Sequence, residues 1–233
     1  MGSKRAVVVR GGWEGHQPVE ATHLFLPFLR ENGYDVRIED SPAVYADADA
    51  MAATDLIVQC VTMSTIERDQ VAGLRAAVEA GTGLTGWHGG IADSFRASSD
   101  YLQLVGGIFA SHPSVAPDAG AAEGTEAFLD YTVDFTPLGA QHPITTGLED
   151  FALTTEQYWV LHDDLNDVLA TTTHPAPPWH PWQRPVVSPA IWTRAWGRGR
   201  VVVTTPGHSV DVLEHPTVRT VIERGMLWAT RRG

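Results

Sequence analysis

Three short runs of consecutive apolar residues constrain this chain more than any other feature: Val7-Val8-Val9, Leu56-Ile57-Val58 and Val201-Val202-Val203. A strand with one face in water alternates apolar and polar side chains. A run without alternation has to be covered on both faces, as in a parallel sheet packed between helices. Helical patterns lie between the runs. Leu24, Phe25, Phe28 and Leu29 recur at helical spacing within 19–32, and Gly33 stands where a C-capping glycine belongs. Tyr34 to Ile38 reads as a second strand. Ser64-Thr65-Ile66-Glu67 has the form of a capping box and predicts a helix that turns Val71, Leu74 and Val78 inward and stops at Gly81. Gly83-Leu84-Thr85-Gly86 reads as a further strand. Pro216 suits the first turn of a last helix through Val218, Val221, Ile222 and Trp228. This alternation predicts an α/β fold with a mostly parallel central sheet flanked by helices. At 233 residues, one domain over 1–233 is the simplest organisation. The stretch from about 111 to 189 is rich in proline and aromatics and is expected to be irregular. Within it, Pro175 to Trp182 reads as a packed flap or a contact between copies in a homo-oligomer.

Composition removes several function classes. With a single cysteine, Cys60, the chain can form no internal disulfide and no cysteine-rich zinc site. The net charge is −12 and the basic residues are scattered, whereas a nucleic-acid binder needs a basic stripe. No apolar run reaches the roughly 18–20 residues that span a bilayer. Ala6 to Val9, after Met1 to Arg5, is too short an apolar stretch for a signal peptide. The expectation is a cytoplasmic protein that handles a neutral small molecule, with no nucleic acid, membrane or nucleotide cofactor.

In open α/β sheets, ligands bind beyond the carboxyl ends of the strands. That rule selects Trp13 and His16 after the first strand, Gly86-Trp87-His88-Gly89-Gly90 after the fourth, and Gly207-His208 after the late one. Each histidine taken alone reads most simply as a hydrogen-bonded loop residue; three at equivalent strand ends, beside glycines, read as a site. The glycine-flanked His88 has the form of a strained strand-to-helix elbow. Histidine there serves as a base, an acid or a metal ligand. His112 follows Gly106-Gly107 and a helical stretch and joins the candidates. Glu156 supplies a carboxylate and Tyr158 a phenol. His142 and His215, each before proline, read as loop-ending residues.

These residues resemble the ThuA-like (trehalose-utilisation) family, whose fold is similar to class I glutamine amidotransferases. The matching pieces run in order along nearly the whole chain: Gly86-Trp87-His88-Gly89-Gly90, Gly106-Gly107-Ile108-Phe109 with His112-Pro113, His142-Pro143-Ile144-Thr145 with Gly147-Leu148, Glu156-Gln157-Tyr158, and Gly199-Arg200-Val201 to Gly207-His208. Gln157 departs from the commonest family pattern, which often has an acidic residue there. The resemblance implies a flavodoxin-like, amidotransferase-like sheet and a role in disaccharide or glycoside catabolism, beside enzymes that make 3-keto sugars. It also implies a negative. Where a glutamine amidotransferase carries its cysteine nucleophile, this chain has His88, and Cys60 follows an earlier strand.

The first functional reading is therefore an enzyme acting on a sugar or keto-sugar by histidine and carboxylate acid–base chemistry. His88 or Glu156 would be the base, and His208, His112 or a metal would polarise a carbonyl. Trp13, Trp87, Tyr158 and Arg194 are the candidates for holding the sugar, since aromatic faces stack on pyranose rings. His16, His112, His208 and Glu156 are the candidate ligands for a divalent ion such as zinc, which would also suit a hydrolase. The alternative is an amidotransferase-like protein without catalysis that binds a sugar or a partner.

Overall fold

The computed structural model describes residues 3–113 and 128–232. A nine-stranded sheet forms its centre, in the order β2-β1-β3-β4-β11-β10-β9-β6-β7. The first five of these strands are mutually parallel: β2 (Tyr34–Glu39), β1 (Lys4–Gly12), β3 (Leu56–Thr62), β4 (Gly83–Trp87) and β11 (Gly199–Thr204). The apolar runs lie here, and the reason is visible in their neighbours. Val8, Val58 and Val202 face one core cluster, with Phe25, Leu29, Val221 and Met226. Val7, Ile57, Val201 and Val203 face the other, with Leu74, Val78 and Leu104. Alternate side chains of one strand thus enter two separate cores, which is why no polar position interrupts the run.

The sheet is mixed, and this corrects the mostly parallel expectation. From β11 onward every pairing is antiparallel, through β10 (Val186–Trp196), β9 (Asp167–His174), β6 (Phe128–Phe135) and β7 (Phe151–Glu156). The described part of the stretch from 111 to 189 is accordingly strand-rich and not irregular. Its strands carry the half-buried alternation of an antiparallel sheet: Phe151, Leu153 and Thr155 are buried, and Ala152 and Thr154 are exposed. Residues 114–127 lie outside the described residues. A small second sheet pairs β5 (Gly107–Ser111) with β8 (Trp159–His162). From 175 to 185 there is no strand or helix, and the flap is packed: Trp182 Nε1 donates to the Pro175 carbonyl at 2.8 Å, and its ring meets Trp159 at 5.0 Å.

Two helices differ from their sequence reading. The single helix expected over 19–32 is two, α1 (Pro18–His23) and α2 (Leu26–Glu31). Pro27 accounts for the break, because it lacks the N–H and crowds the carbonyl four residues back. The helix expected to be capped by Ser64 is capped by Glu67, whose side chain exchanges bonds with Gln70 in a capping box one turn later than read. That helix, α4 (Arg68–Glu79), buries Val71, Leu74 and Val78 as expected. The remaining helices are α3 (Ala48–Ala52), α5 (Gly89–Ala92), α6 (Ser99–Val105), α7 (Val210–Leu213) and α8 (Pro216–Ala229). No helix among the described residues is long and apolar enough to cross a membrane.

His174, at the end of β9, is fully buried, its ring stacked on Trp159 and neither ring nitrogen well partnered. Burial pushes its pKa down to about 4, and the Tyr158 backbone offsets only part of this. The unfolded chain therefore binds more protons than the folded one between pH 6.5 and 4, so stability falls with falling pH, by roughly 3 kcal/mol at pH 4 from this residue. Replacing His174→Phe keeps the stacking on Trp159 and should flatten the acid limb in urea unfolding between pH 7 and 4.5. An unchanged limb would assign the acid sensitivity elsewhere.

Candidate functional site

The carboxyl ends of β1, β3, β4 and β11 deliver one part of a cluster, and the end of β7 delivers the other. After β1 the chain makes a 3-10 turn, Glu14–His16, and buries His16. After β4 it makes a sharp elbow at His88, with φ 49° and ψ −139°. A non-glycine residue at positive φ is sterically costly and persists only where its surroundings impose it. Here the His88 N–H donates to the Thr204 carbonyl at 2.7 Å, tying the elbow to β11. Gly89 is required by contact: a Cβ there would lie 2.5 Å from Cε1 of His16.

A buried polar network holds the elbow from beneath. Gln59, on β3 and 0% exposed, donates from Nε2 to the Gly90 carbonyl (3.3 Å) and to Ser94 Oγ (3.0 Å), and also contacts the Tyr101 hydroxyl. Its Oε1 accepts from the Tyr45 hydroxyl at 2.9 Å. Ser94 Oγ donates to the Gly90 carbonyl and Tyr101 Oη to the Ile91 carbonyl. Helix α5 is a single turn, so these side chains satisfy carbonyls that a longer helix would have paired internally.

One oxygen organises the cluster. Glu156 Oε2 lies 3.0 Å from His88 Nε2, 3.0 Å from His208 Nδ1 and 3.5 Å from His112 Nε2. The His16 ring packs edge-on against both His88 (4.6 Å) and His208 (5.2 Å), and its Nδ1 bonds Thr62 Oγ1 at 3.0 Å. One ligand-capable atom from each of His16, His88, Glu156 and His208 lies within 4.8 Å of all the others. This cluster differs from the expected candidate ligands in one member: His88 is within it and His112 is not. His112 stands at the side of the cluster, half-buried, with Nδ1 3.3 Å from the Gln157 carbonyl.

The hydrogen-bond chemistry leaves the cluster short of a cation. His88 Nδ1 lies 2.8 Å from the Thr205 carbonyl, which can only accept, so that nitrogen carries a proton. His88 Nε2 then faces a carboxylate oxygen at 3.0 Å, a contact that needs a proton or a metal ion between the two atoms. Burial pushes the His88 pKa down, although Glu156 opposes the shift, and burial with the neighbouring histidines pushes His16 down to about 3. Burial alone would raise Glu156, but the facing His208 and His88 outweigh it and hold the carboxyl well below its usual range. A carboxylate facing imidazole nitrogens is a donor set that could hold a metal ion. His208 Nδ1 adds to this: it is buried near Glu156 without the alignment of a hydrogen bond.

The other candidates divide. Trp13 is 46% exposed, with its ring 4.7 Å from His16, and forms an aromatic rim. Tyr158 is buried with its ring 4.2 Å from His88, and forms a wall with Phe109. Trp87 does not face the cluster: it is 1% exposed and packs on Phe25 in the core. Arg194 is also away from it. Its register partner is Val201, three residues before the end of β11, or about 10 Å along the strand. Its guanidinium is buried in a two-bond pair with Asp163 and a third bond to Asn166. His215 caps α8 by accepting from the Thr217 N–H, and His142 accepts from the Ile144 N–H, as loop-ending residues do. Cys60 is buried, and burial pushes its thiol up to about 12, so it offers no thiolate. Gln59, Thr62 and Phe128, whose ring lies 5.2 Å from His208, escaped the sequence reading, and Thr205 stood only within the strand-end run Thr204 to His208. Only Gln59, a polar residue one place after the apolar run of β3, carried any signal.

A family model described as trehalose utilisation, ThuA, matches residues 5–229. The chain belongs to the ThuA family. Among solved structures, a putative ThuA-like protein from Parabacteroides merdae superposes with a TM-score of 0.71 at 16% identity, covering 98% of this chain and 90% of its own. A putative ThuA-like protein from Bacteroides uniformis gives 0.69 at 16% identity, covering 97% and 91%. A protein from Salmonella typhimurium described as cytoplasmic gives 0.59 at 12% identity, covering 98% and 100%. At these identities the likeness is one of fold. Among curated proteins no sequence relative matches the chain.

The network under the ThuA elbow makes a test. Gln59→Leu strips the acceptor from the buried Tyr45 hydroxyl, while the Gly90 carbonyl keeps its bond from Ser94 Oγ, and a buried polar group left unpaired costs about 1–3 kcal/mol. Urea unfolding should show a loss of about 1–3 kcal/mol. A loss under about 0.5 kcal/mol, the size of an ordinary surface change, would mean the network is not needed to hold the turn.

Proposed function

We propose that this ThuA-family protein acts in sugar metabolism, with His16, His88, Glu156 and His208 holding a divalent metal ion beside which a keto-sugar undergoes proton transfer. The observation that carries the reading is Glu156 Oε2, a buried carboxylate oxygen with two imidazole nitrogens at 3.0 Å. The family description, trehalose utilisation, supports the sugar half. The parallel strand order β2-β1-β3-β4-β11 supports a flavodoxin-like, glutamine-amidotransferase-like ancestry. The likeness to a protein described as cytoplasmic supports that location.

A bound ion would polarise a sugar carbonyl and stabilise charge developing on its oxygen. The chain's own residues supply the rest. With Nδ1 turned to the Gln157 carbonyl, His112 presents Nε2 to the cluster from outside the ligand set. In this reading His112 is the base, in place of His88 or Glu156. It takes the proton from the carbon next to the carbonyl, and the C–H electron pair moves onto the carbonyl oxygen as an enediolate. Isomerisation, epimerisation and elimination of a glycosidic oxygen all begin with that step. Trp13 offers its half-exposed ring to an apolar sugar face, and Tyr158 and Phe109 wall the far side.

Metal analysis combined with turnover of 3-keto-glycosides tests this. The protein should retain a divalent ion and lose turnover with chelator. Glu156→Gln should lose most of its metal. Thr62→Val, which removes the bond orienting His16, should weaken metal binding about 10-fold or more. His112→Gln should keep its metal and lose about 10²-fold or more in turnover. Undiminished turnover by metal-free protein would end the metal reading. Sugar binding with no turnover of any 3-keto-glycoside would favour a non-catalytic binding protein.

A further inference from the structure

Four protein ligands are one too many for a catalytic zinc. Zinc closed by four side chains in a tetrahedron is a structural site, whereas catalytic zinc keeps three and leaves a position open. His16, His88, Glu156 and His208 already make four. Yet the surroundings are not those of a structural ion, which holds together loops that would otherwise come apart. Two of the four ligands here are fixed by bonds of their own, His88 by the Thr204 and Thr205 carbonyls and His16 by Thr62, and the elbow after His88 is held by Gln59, Ser94 and Tyr101. The cluster is also not sealed. Trp13 is 46% exposed beside it, Met63, which follows the Thr62 that bonds His16, is 51% exposed, and His112 reaches it from the side as a fourth imidazole outside the set.

Resting on the reading that these four side chains hold one ion, we propose that the ion is six-coordinate, of the manganese, iron(II) or cobalt class. Its two remaining positions would take adjacent oxygens of the substrate, a carbonyl and the neighbouring hydroxyl of an α-hydroxyketone. Imidazole and carboxylate donors together suit such ions, and six-coordination leaves two sites where a tetrahedron would leave none. An α-hydroxyketone is the sugar unit that fills both. It also places its acidic C–H beside the chelated oxygens, within the region that His112 Nε2 approaches. The ligand count thus selects the substrate class: a monodentate carbonyl would leave one position to water, and a sugar with no carbonyl would lack the acidic proton.

Cobalt(II) reports its coordination number directly, with weak visible bands when six-coordinate and intense ones when tetrahedral. Metal-free full-length protein is loaded with cobalt(II), uptake is measured by equilibrium dialysis, and the spectrum is recorded before and after adding dihydroxyacetone, with acetone as the one-oxygen control. The expected result is uptake with a weak, six-coordinate spectrum that dihydroxyacetone shifts and acetone at the same concentration does not. An intense tetrahedral spectrum, shifted or not, overturns the proposal while leaving the metal site itself intact. A six-coordinate spectrum that dihydroxyacetone leaves unchanged, or that acetone shifts equally, overturns the chelation. Failure to take up cobalt, with manganese and zinc also refused, removes the metal reading on which the proposal rests.

Discussion

A single carboxylate oxygen governs this molecule's chemistry. Glu156 Oε2 draws the nitrogens of His88 and His208 to 3.0 Å and that of His112 to 3.5 Å, in a largely buried setting where water screens them less than at the surface. Charge interactions are several-fold stronger there than in solvent. A proton bridges one nitrogen–oxygen pair at a time, whereas a metal ion would face all of these groups at once, which is what favours the metal proposed above.

Bringing these groups together takes both halves of the sheet. The parallel half presents His16, His88 and His208 from three strand ends, with His16 held by Thr62 and His88 by the Thr204 and Thr205 carbonyls. It contains no carboxylate at the required place. Glu156 arrives from β7, at the far edge of the antiparallel half, and Tyr158 follows two residues later to pack on His88. The Tyr131 hydroxyl on neighbouring β6 donates to the Glu156 carbonyl and steadies that strand end. The antiparallel extension is thus the part of the fold that completes the cluster.

The legibility of the sequence follows the same division. Strands buried on both faces announce themselves as unbroken apolar runs, so the parallel half and its three histidines were readable, as was the elbow at His88 from its glycines. Antiparallel strands with one face exposed alternate apolar with threonine and charged residues, as in Phe151 to Glu156, and beside many prolines they passed for loops. Residue type alone also misplaced two side chains. Trp87 alternates with its neighbours into the core, and Arg194 lies too far back along β10, facts of register that no single position reveals. The place of His88 rather than His112 in the tight cluster has a similar origin: both turn Nε2 toward Glu156 and Nδ1 toward a backbone carbonyl, Thr205 for one and Gln157 for the other, and they differ in approach, 3.0 Å against 3.5 Å, which residue type does not reveal.

The account stands or falls on whether a cation occupies the space that Glu156 and the three histidines enclose. Crystals of the protein soaked in manganese(II), with diffraction recorded on both sides of the metal's absorption edge, would show this without reference to any substrate. The account predicts one strong anomalous peak within bonding distance of His16, His88, Glu156 and His208. Anomalous peaks confined to surface carboxylates, with Glu156 still hydrogen-bonded to the imidazoles alone, would contradict it.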